Sequence, residues 1–330
     1  LKFSSASTTD VLLDVNGGTI KLYDSYISDV GSSFGKFIYR GTTGLGENYS
    51  SADSTAEMKK VIFDRASRGQ FFFTPNVTID DLKVNRINPS APTVGIGISS
   101  GAALPAMNNL QLFHQSASSG AAFEINSSTP ASTDVTIQNS FFDFNTTDII
   151  AAGNGRGVNL VNTQWDRTYG WNWGGDFGTG TTTIKESYGY LPKFVDQAGA
   201  ALQNVEIKAK DVFGDTQFTQ TSSAAGTIPE QFVSAWQVQR TAATTTETNF
   251  NSYTALIKKY SKKFVKASKT FAARTVETLQ LEEDTFTTLS EAAASALTNI
   301  TYTPPTQVTY ANAETETVSG GTITLNNTPI

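Results

Sequence analysis

The segment from Trp165 to Phe177 carries the residue types best suited to bind a ligand. It contains three of the four tryptophans of the chain, two aspartates, one tyrosine and three glycines. Indole rings stack on the C–H faces of sugars, while carboxylates and amides bind sugar hydroxyls. Tryptophan and tyrosine are also enriched at subunit interfaces. We therefore predict a contact surface, and packing or an interface is preferred to a glycan site. The candidate residues are Trp165, Asp166, Tyr169, Trp171, Trp173 and Asp176.

Acidic residues around this segment could support glycan hydrolysis. That reaction needs two carboxyl groups about 5 to 10 Å apart across a groove. The acidic residues on neighbouring repeats are Asp143, Asp148, Asp166, Asp176 and Glu186. Aspartates are also common at the polar corners of stacked repeats, so the set alone does not identify an enzyme. His114 is the only histidine and cysteine is absent, which argues against imidazole-centred and thiolate chemistry. We assign no catalytic residue, no metal ligand and no cofactor.

These residues belong to a series of short repeats. Each repeat ends with a polar residue followed by an apolar one. The final apolar residues are Ile79, Leu112, Ile137, Leu160 and Ile184. The last three intervals are 25, 23 and 24 residues, which is typical of one coil of chain per repeat. The sequence therefore predicts a right-handed parallel β-helix over residues 1–190, with these five side chains in one interior file and a loop insertion near 41–57.

Polar turn residues follow the apolar strands of the repeats. Alternation places Val135 and Ile137 on one face and the intervening threonine on the other. We expect the polar residues that follow, as in Leu22–Tyr26, Ile137–Phe141 and Ile184–Tyr188, to form corners, where Asn, Asp and Gly adopt left-handed geometry at low cost. An interior already filled by aliphatic side chains cannot also take three indoles, so the tryptophans are expected at a contact surface.

A different pattern begins after residue 190. Turn signals at Asp196–Gly199 and Asp211–Gly214 flank the alternating strand Val205–Ala209. This order resembles the start of an immunoglobulin-like module of the carboxypeptidase-regulatory type, which implies a β-sandwich over 191–248. Residues 249–330 are predicted as a C-terminal β or α+β region with one short helix near 288–297. This region either continues the sandwich or is truncated, and a hairpin across Gly320-Gly321 is expected in it.

Composition and charge limit the classes of partner. Only 16% of the 330 residues are charged and 38% are hydrophobic, so Ser, Thr, Asn and Gly supply much of the polar surface. The net charge of −6 disfavours nucleic acid, because phosphate binding needs a clustered basic surface. No apolar run approaches the roughly 20 residues of a spanning helix, so we expect no membrane insertion. The chain starts without methionine, and we expect a processed chain or part of a longer one.

The predicted architecture carries a family resemblance. A β-helix followed by an immunoglobulin-like module, in a Cys-free and Ser/Thr-rich chain, resembles bacteriophage tail fibres, tailspikes and head fibres. The resemblance implies a non-enzymatic structural and attachment protein on the virion surface. It also implies a homo-oligomer, with a trimer favoured, that contacts other virion structural proteins and a cell-surface glycan. Two alternatives stay open: a polysaccharide lyase or depolymerase on the same scaffold, and a microbial cell-surface adhesin or surface-layer component.

Overall fold

The structure is a computed structural model of the 330-residue chain. It describes residues 11–14, 19–28, 37–40, 55–64, 71–73, 77–85, 94–98, 107–113, 121–127, 134–143, 147–153, 157–167, 170–173, 180–241, 244–259, 262–283, 300–302, 307–309, 315–317 and 323–325. These residues form strands, turns and bends without any helix, so the predicted all-β class is confirmed. Within the same ranges, no helix has the length and apolar character needed to cross a membrane.

The strands are short and follow one another closely along the chain. The first fourteen in the described ranges are β1 (Val11–Asp14), β2 (Thr19–Ser28), β3 (Phe37–Arg40), β4 (Thr55–Asp64), β5 (Phe71–Phe73), β6 (Val77–Asn85), β7 (Val94–Ile98), β8 (Met107–Phe113), β9 (Ala121–Ser127), β10 (Val135–Gln138), β11 (Phe141–Asp143), β12 (Ile149–Gly153), β13 (Val158–Val161) and β14 (Trp171–Trp173). The others are β15 (Thr182–Val195), β16 (Glu206–Lys210), β17 (Thr216–Thr221), β18 (Gln231–Arg240), β19 (Thr245–Asn249), β20 (Tyr253–Lys258), β21 (Val265–Lys269), β22 (Thr275–Gln280), β23 (Ile300–Tyr302), β24 (Gln307–Thr309), β25 (Thr315–Thr317) and β26 (Ile323–Leu325).

The strands from β4 to β15 are divided between two parallel sheets. One sheet contains the order β15-β13-β10-β8-β6-β4-β2, and the other has the order β14-β12-β9-β7-β5. Pairing is parallel in both, for example between β10 and β13 and between β12 and β9. Because the chain returns to each sheet after every excursion to the other, equivalent residues of successive coils lie directly above one another. The first sheet continues through β18 to β19, which pair with each other in antiparallel orientation.

Apolar side chains form vertical files between successive coils. The five residues predicted to be interior are all buried, namely Ile79, Leu112, Ile137, Leu160 and Ile184. Ile137 pairs with Met107 on one side and with Leu160 on the other, and Ile79 pairs with Met58. These contacts connect the coils through close packing of buried side chains, which is the main stabilising contribution in such a core.

The five residues do not share a single file, so this part of the prediction is wrong. Ile184 pairs with Val158, which is the first apolar residue of its repeat rather than the last. Leu112 pairs with Val84 and therefore lies beyond the bend that precedes it. The last apolar residues of the repeats are not equivalent positions, because hydrogen bonding between coils sets the register.

One residue with positive φ bends the chain in successive coils. These residues are Asp24 (φ 46°), Lys60 (53°), Asp81 (66°), Asn109 (52°), Asn139 (50°) and Asn162 (51°). Several are linked by side-chain amides: Asn109 Nδ2 donates to Asp81 Oδ1 at 3.0 Å, and Asn162 Nδ2 donates to Asn139 Oδ1 at 3.3 Å. Asn139 Nδ2 also donates to Oδ1 of Asn108, the neighbour of Asn109, at 2.8 Å. The Ser140 hydroxyl donates to the Gln138 carbonyl oxygen at 2.7 Å. The bends thus form a ladder of polar side chains along the stack.

The outcome for the predicted corners differs between the three segments. Asp24 and Asn139 have the left-handed geometry expected of corners, so these two predictions are confirmed. The segment Ile184–Tyr188 lies inside the long strand β15 and forms no corner, so that prediction is wrong. Its Glu186 side chain is buried in the stack rather than exposed at a turn.

The described structure divides into two compact units. The first contains Leu1–Tyr190, Phe232–Phe250 and Phe271–Arg274, and the second contains Leu191–Gln231, Asn251–Thr270 and Thr275–Ile330. In the first unit, Trp236 and Val238 of β18 belong to the apolar core of the coils. The second unit includes an antiparallel sheet with the order β17-β16-β20-β21. The domain boundaries predicted at residues 190 and 248 stay predictions.

Several local predictions can be compared with the strands. The turns at Asp196–Gly199 and Asp211–Gly214 form, each closed by a backbone hydrogen bond of 3.0 Å. The helix near 288–297 lies outside the described residues, as do residues 41–54 of the predicted insertion, while 55–57 begin β4. The prediction of a C-terminal hairpin that joins β24 to β26 is wrong. Instead, β24 pairs with β25, and β26 pairs with β23.

Replacing Ile137 with Asp should lower the free energy of unfolding by several kcal/mol, about 3 or more, because a charge enters a fully buried file. Thr136→Asp is the matched control, since Thr136 is adjacent in β10 and only partly buried. Urea denaturation of both variants measures the difference. Equal destabilisation by the two substitutions would contradict the interior file.

Two substitutions of Asn139 separate the contributions that its backbone conformation and its side-chain hydrogen bonds make to stability. Asn139→Gly removes the side-chain hydrogen bonds but tolerates φ of 50°, whereas Asn139→Ala removes the same hydrogen bonds and keeps a Cβ in the left-handed conformation. Ala should therefore be less stable than Gly by about 1 kcal/mol in urea denaturation. If Gly is as unstable as Ala, the left-handed conformation is not what selects Asn at this bend.

Candidate binding site at the tryptophan cluster

The four tryptophans of the chain lie together in the first unit. Trp171 and Trp173 are on β14, which is the terminal strand in the order of its sheet. Trp165 follows β13, and Trp236 is on β18. The ring centroids of Trp165 and Trp236 are 5.7 Å apart, those of Trp171 and Trp236 are 6.3 Å apart, and those of Trp171 and Trp173 are 5.4 Å apart. We call these four residues the tryptophan cluster.

The register of β14 explains how two of the indoles reach the core. Trp171 pairs with Ile149 and Trp173 pairs with Ala151, so both continue apolar files of the second sheet. Trp165, Trp171 and Trp173 are only partly buried, and all three pack against the core. Trp236 is nearly completely buried. The cluster therefore has a buried side and a partly exposed side, and its role as an interface or glycan site stays a prediction.

Glu186 holds two residues of the loop between β13 and β14. It pairs in register with Leu160, so a carboxylate occupies the next place in an apolar file, where it is 1% exposed. Glu186 Oε2 accepts a hydrogen bond from Trp165 Nε1 at 2.9 Å and lies 3.5 Å from Arg167 Nε. Burying a carboxylate is costly unless it is paired and hydrogen-bonded, so Glu186, Trp165 and Arg167 depend on one another.

The Tyr188 hydroxyl shares this environment. Burial raises its pKa above the ordinary value, and the hydrogen bond and negative charge of Glu186 raise the pKa further. The positive charge of Arg167 acts in the opposite direction. Tyr188 is therefore protonated over the whole physiological range and adds no negative charge beside Glu186.

A second buried carboxylate fixes the backbone of the same loop. Asp148 is completely buried, and its Oδ2 accepts a hydrogen bond from the Asp166 backbone at 2.7 Å. The backbone N–H groups of Asp148 and Ile149 donate to the Gly170 carbonyl oxygen at 2.7 and 2.6 Å. A Cβ added to Gly170 would lie 1.7 Å from the Asp166 carbonyl oxygen, so only glycine fits. The loop is thus tied to the preceding coil from both ends.

The structure separates the acidic candidates by role. Asp148 and Glu186 are buried and hold the loop, whereas Asp143 and Asp166 are exposed. Tyr169, Asp176 and His114 lie outside the described residues. Among the residues that are described, no group of three or more His, Asp or Glu side chains could hold a metal ion.

Two clefts adjoin the cluster, and Arg167 lines both. One has a volume of about 460 Å³ and includes Trp165, Glu186 and Tyr188 in its lining. The other has a volume of about 590 Å³ and is lined by Arg167, Trp171, Trp236, Glu247 and Asn249. Four of these five residues, Arg167, Trp236, Glu247 and Asn249, were not among the candidates predicted from the sequence. For Trp236 the signal in the sequence is the alternation of Trp236 and Val238 with Gln237 and Gln239 in β18, which predicts a strand that contributes to a core.

No protein-family model matches the sequence, and no curated protein is significantly similar to it. The interpretation of this site therefore depends on its geometry and chemistry.

The raised pKa of Tyr188 predicts a loss of stability in alkali. A group whose pKa is higher in the folded state contributes stability below its unfolded pKa, near 10, and loses it as pH rises through the folded value. The free energy of unfolding should therefore fall above about pH 10, and it should fall less in Tyr188→Phe. Urea denaturation at stepped pH measures this, with the exposed Tyr26→Phe as the control. Identical slopes for the wild type and Tyr188→Phe would contradict the assignment.

Proposed function

We propose that this chain is a non-enzymatic structural and attachment protein of a bacteriophage particle, with a right-handed parallel β-helix as its shaft. The observation that carries the proposal is the alternation of the chain between two parallel sheets from β4 to β15. Each coil bonds to the next through backbone hydrogen bonds and buried files, and such a stack behaves as a stiff rod. Seven stacked strands from β2 to β15, at about 4.8 Å each, extend over roughly 30 Å.

Exposed aromatic residues support assembly of the shaft into an oligomer. Tyr23 and Tyr26 of β2 are 43% and 52% exposed. Lys59 Nζ lies 5.5 Å from the centroid of the Tyr23 ring, and the Tyr23 hydroxyl bonds to Glu57, so this tyrosine is held in place. Aromatic side chains are enriched where protein surfaces meet. A homo-oligomer, with a trimer favoured, would bury them.

The second unit supports a role as a connecting module. Its sheet β17-β16-β20-β21 is entirely antiparallel, with turns closed at Asp196–Gly199 and Asp211–Gly214. We propose that this unit is an immunoglobulin-like module that contacts other virion structural proteins. A compact β unit is suited to display and attachment, because these two functions depend on shape rather than on reactive groups.

The location of the protein tests the proposal. Antibodies raised against the purified chain should label phage particles in immunogold electron micrographs, and the chain should co-sediment with particles in a density gradient. Sedimentation equilibrium of the purified chain should give a trimer. Label on the cell envelope instead would favour the adhesin alternative. Release of reducing or unsaturated sugars from capsular polysaccharide by the purified chain would favour the lyase.

A further inference from the structure

The edge strand β19 leaves a polar face open beside the tryptophan cluster. In the antiparallel pair β18–β19, Trp236 is opposite Asn249 and Val238 is opposite Glu247, so all four side chains share one face of the sheet. Trp236 and Val238 are buried in the core, whereas Glu247 and Asn249 are exposed. The core-facing side of the sheet therefore ends in a polar rim, and this rim borders the cleft of about 590 Å³.

The residues of this cleft are held in place by contacts within the protein. Trp236 Nε1 donates to Glu247 Oε1 at 2.5 Å. The guanidinium carbon of Arg167 lies 6.0 Å from the Trp236 ring centroid, and Arg167 Nε lies 3.5 Å from Glu186 Oε2. Trp171 is fixed by its position on β14 and by the neighbouring indoles. A site whose side chains are already ordered loses less conformational entropy when a ligand binds.

We infer that this cleft binds an uncharged saccharide. The partly exposed Trp171 offers an indole surface for the C–H face of a sugar ring. Arg167 and the Asn249 amide supply hydrogen-bond donors, and Glu247 and the Asn249 carbonyl supply acceptors, which together match sugar hydroxyls. A volume of 590 Å³ lies within the roughly 300 to 1,000 Å³ that is typical of small-molecule sites.

Charge decides between neutral and acidic sugars. Arg167 is the cation among the residues lining the cleft, and it is already paired with the buried Glu186. Glu247 places a second carboxylate on the rim. An acidic sugar would therefore meet no surplus positive charge and would be repelled by Glu247, whereas a neutral sugar can use both charged groups as hydrogen-bond partners.

Tryptophan fluorescence measures binding directly, because every tryptophan of the chain belongs to the cluster. The probes are oligomers of N-acetylglucosamine, maltose and lactose as neutral sugars, and oligogalacturonate as the acidic one. At least one neutral probe should shift the emission and bind at least ~10-fold more tightly than oligogalacturonate. Asn249→Ala should weaken binding by about tenfold, through the loss of a hydrogen bond. Glu247→Gln keeps an acceptor for Trp236 Nε1 and should weaken binding less.

Thr246→Ala is the matched control, since Thr246 is exposed on the opposite face of the same strand, and it should bind like the wild type. The inference is overturned if no neutral probe shifts the fluorescence of the folded chain. It is also overturned if oligogalacturonate binds as tightly, or if Asn249→Ala and Thr246→Ala behave alike.

This inference rests on the proposed attachment function, but the two can fail separately. Labelling of particles by the antibodies, without saccharide binding by the chain, would contradict only the inferred binding site. Saccharide binding by a chain that is found on the cell envelope would contradict only the proposal that the protein belongs to a virion.

Discussion

The left-handed conformation of one residue at each bend is the constraint on which the stack depends. An L-residue in this conformation costs about 1 to 2 kcal/mol, and Asn or Asp reduce that cost by local hydrogen bonding. In the first unit these residues also bond across coils, as Asn162 does to Asn139 and Asn109 does to Asp81. These side-chain bonds act together with the backbone hydrogen bonding between strands, which sets the residues of one coil that lie over those of the next. The apolar files can form only because this register is fixed.

A stack of coils has a second problem, which is how it ends. In the file that contains Ile137 and Leu160, the position on β15 is occupied by Glu186 instead of another aliphatic residue. Trp165 and Arg167 then bind this carboxylate, and Trp236 covers the indoles from a strand that lies far along the chain. Polar terminal layers and covering segments are what repeat proteins generally need, because an uncovered final coil would expose its apolar interior. Here the covering segment belongs to the same compact unit as the coils.

The sequence predicted the all-β class, the buried residues and the left-handed bends at Asp24 and Asn139 from local patterns. It failed where an outcome depends on distant pairing. Ile184 has the same tetrapeptide pattern as Ile137, yet coil-to-coil hydrogen bonding shifts its register by two residues. Trp236 and Asn249 reach the cluster through tertiary contacts that no local repeat records. Periodicity reports which side of a strand is apolar, but it does not report which strand lies opposite.

The position of the candidate cleft follows from the same geometry. Within the described strands of the two sheets, the interior strands are hydrogen-bonded on both sides and their core-facing apolar side chains are buried, which leaves little space for a ligand between them. Repetition stops at β14 and β15, where a terminal strand carries two tryptophans and an edge strand contributes Glu247 and Asn249. The buried carboxylates of Asp148 and Glu186 accept hydrogen bonds from the Asp166 backbone and the Trp165 indole, so these two residues are held close to Arg167, which lines the cleft. The tryptophan cluster thus lies where side chains held by hydrogen bonds border a cleft.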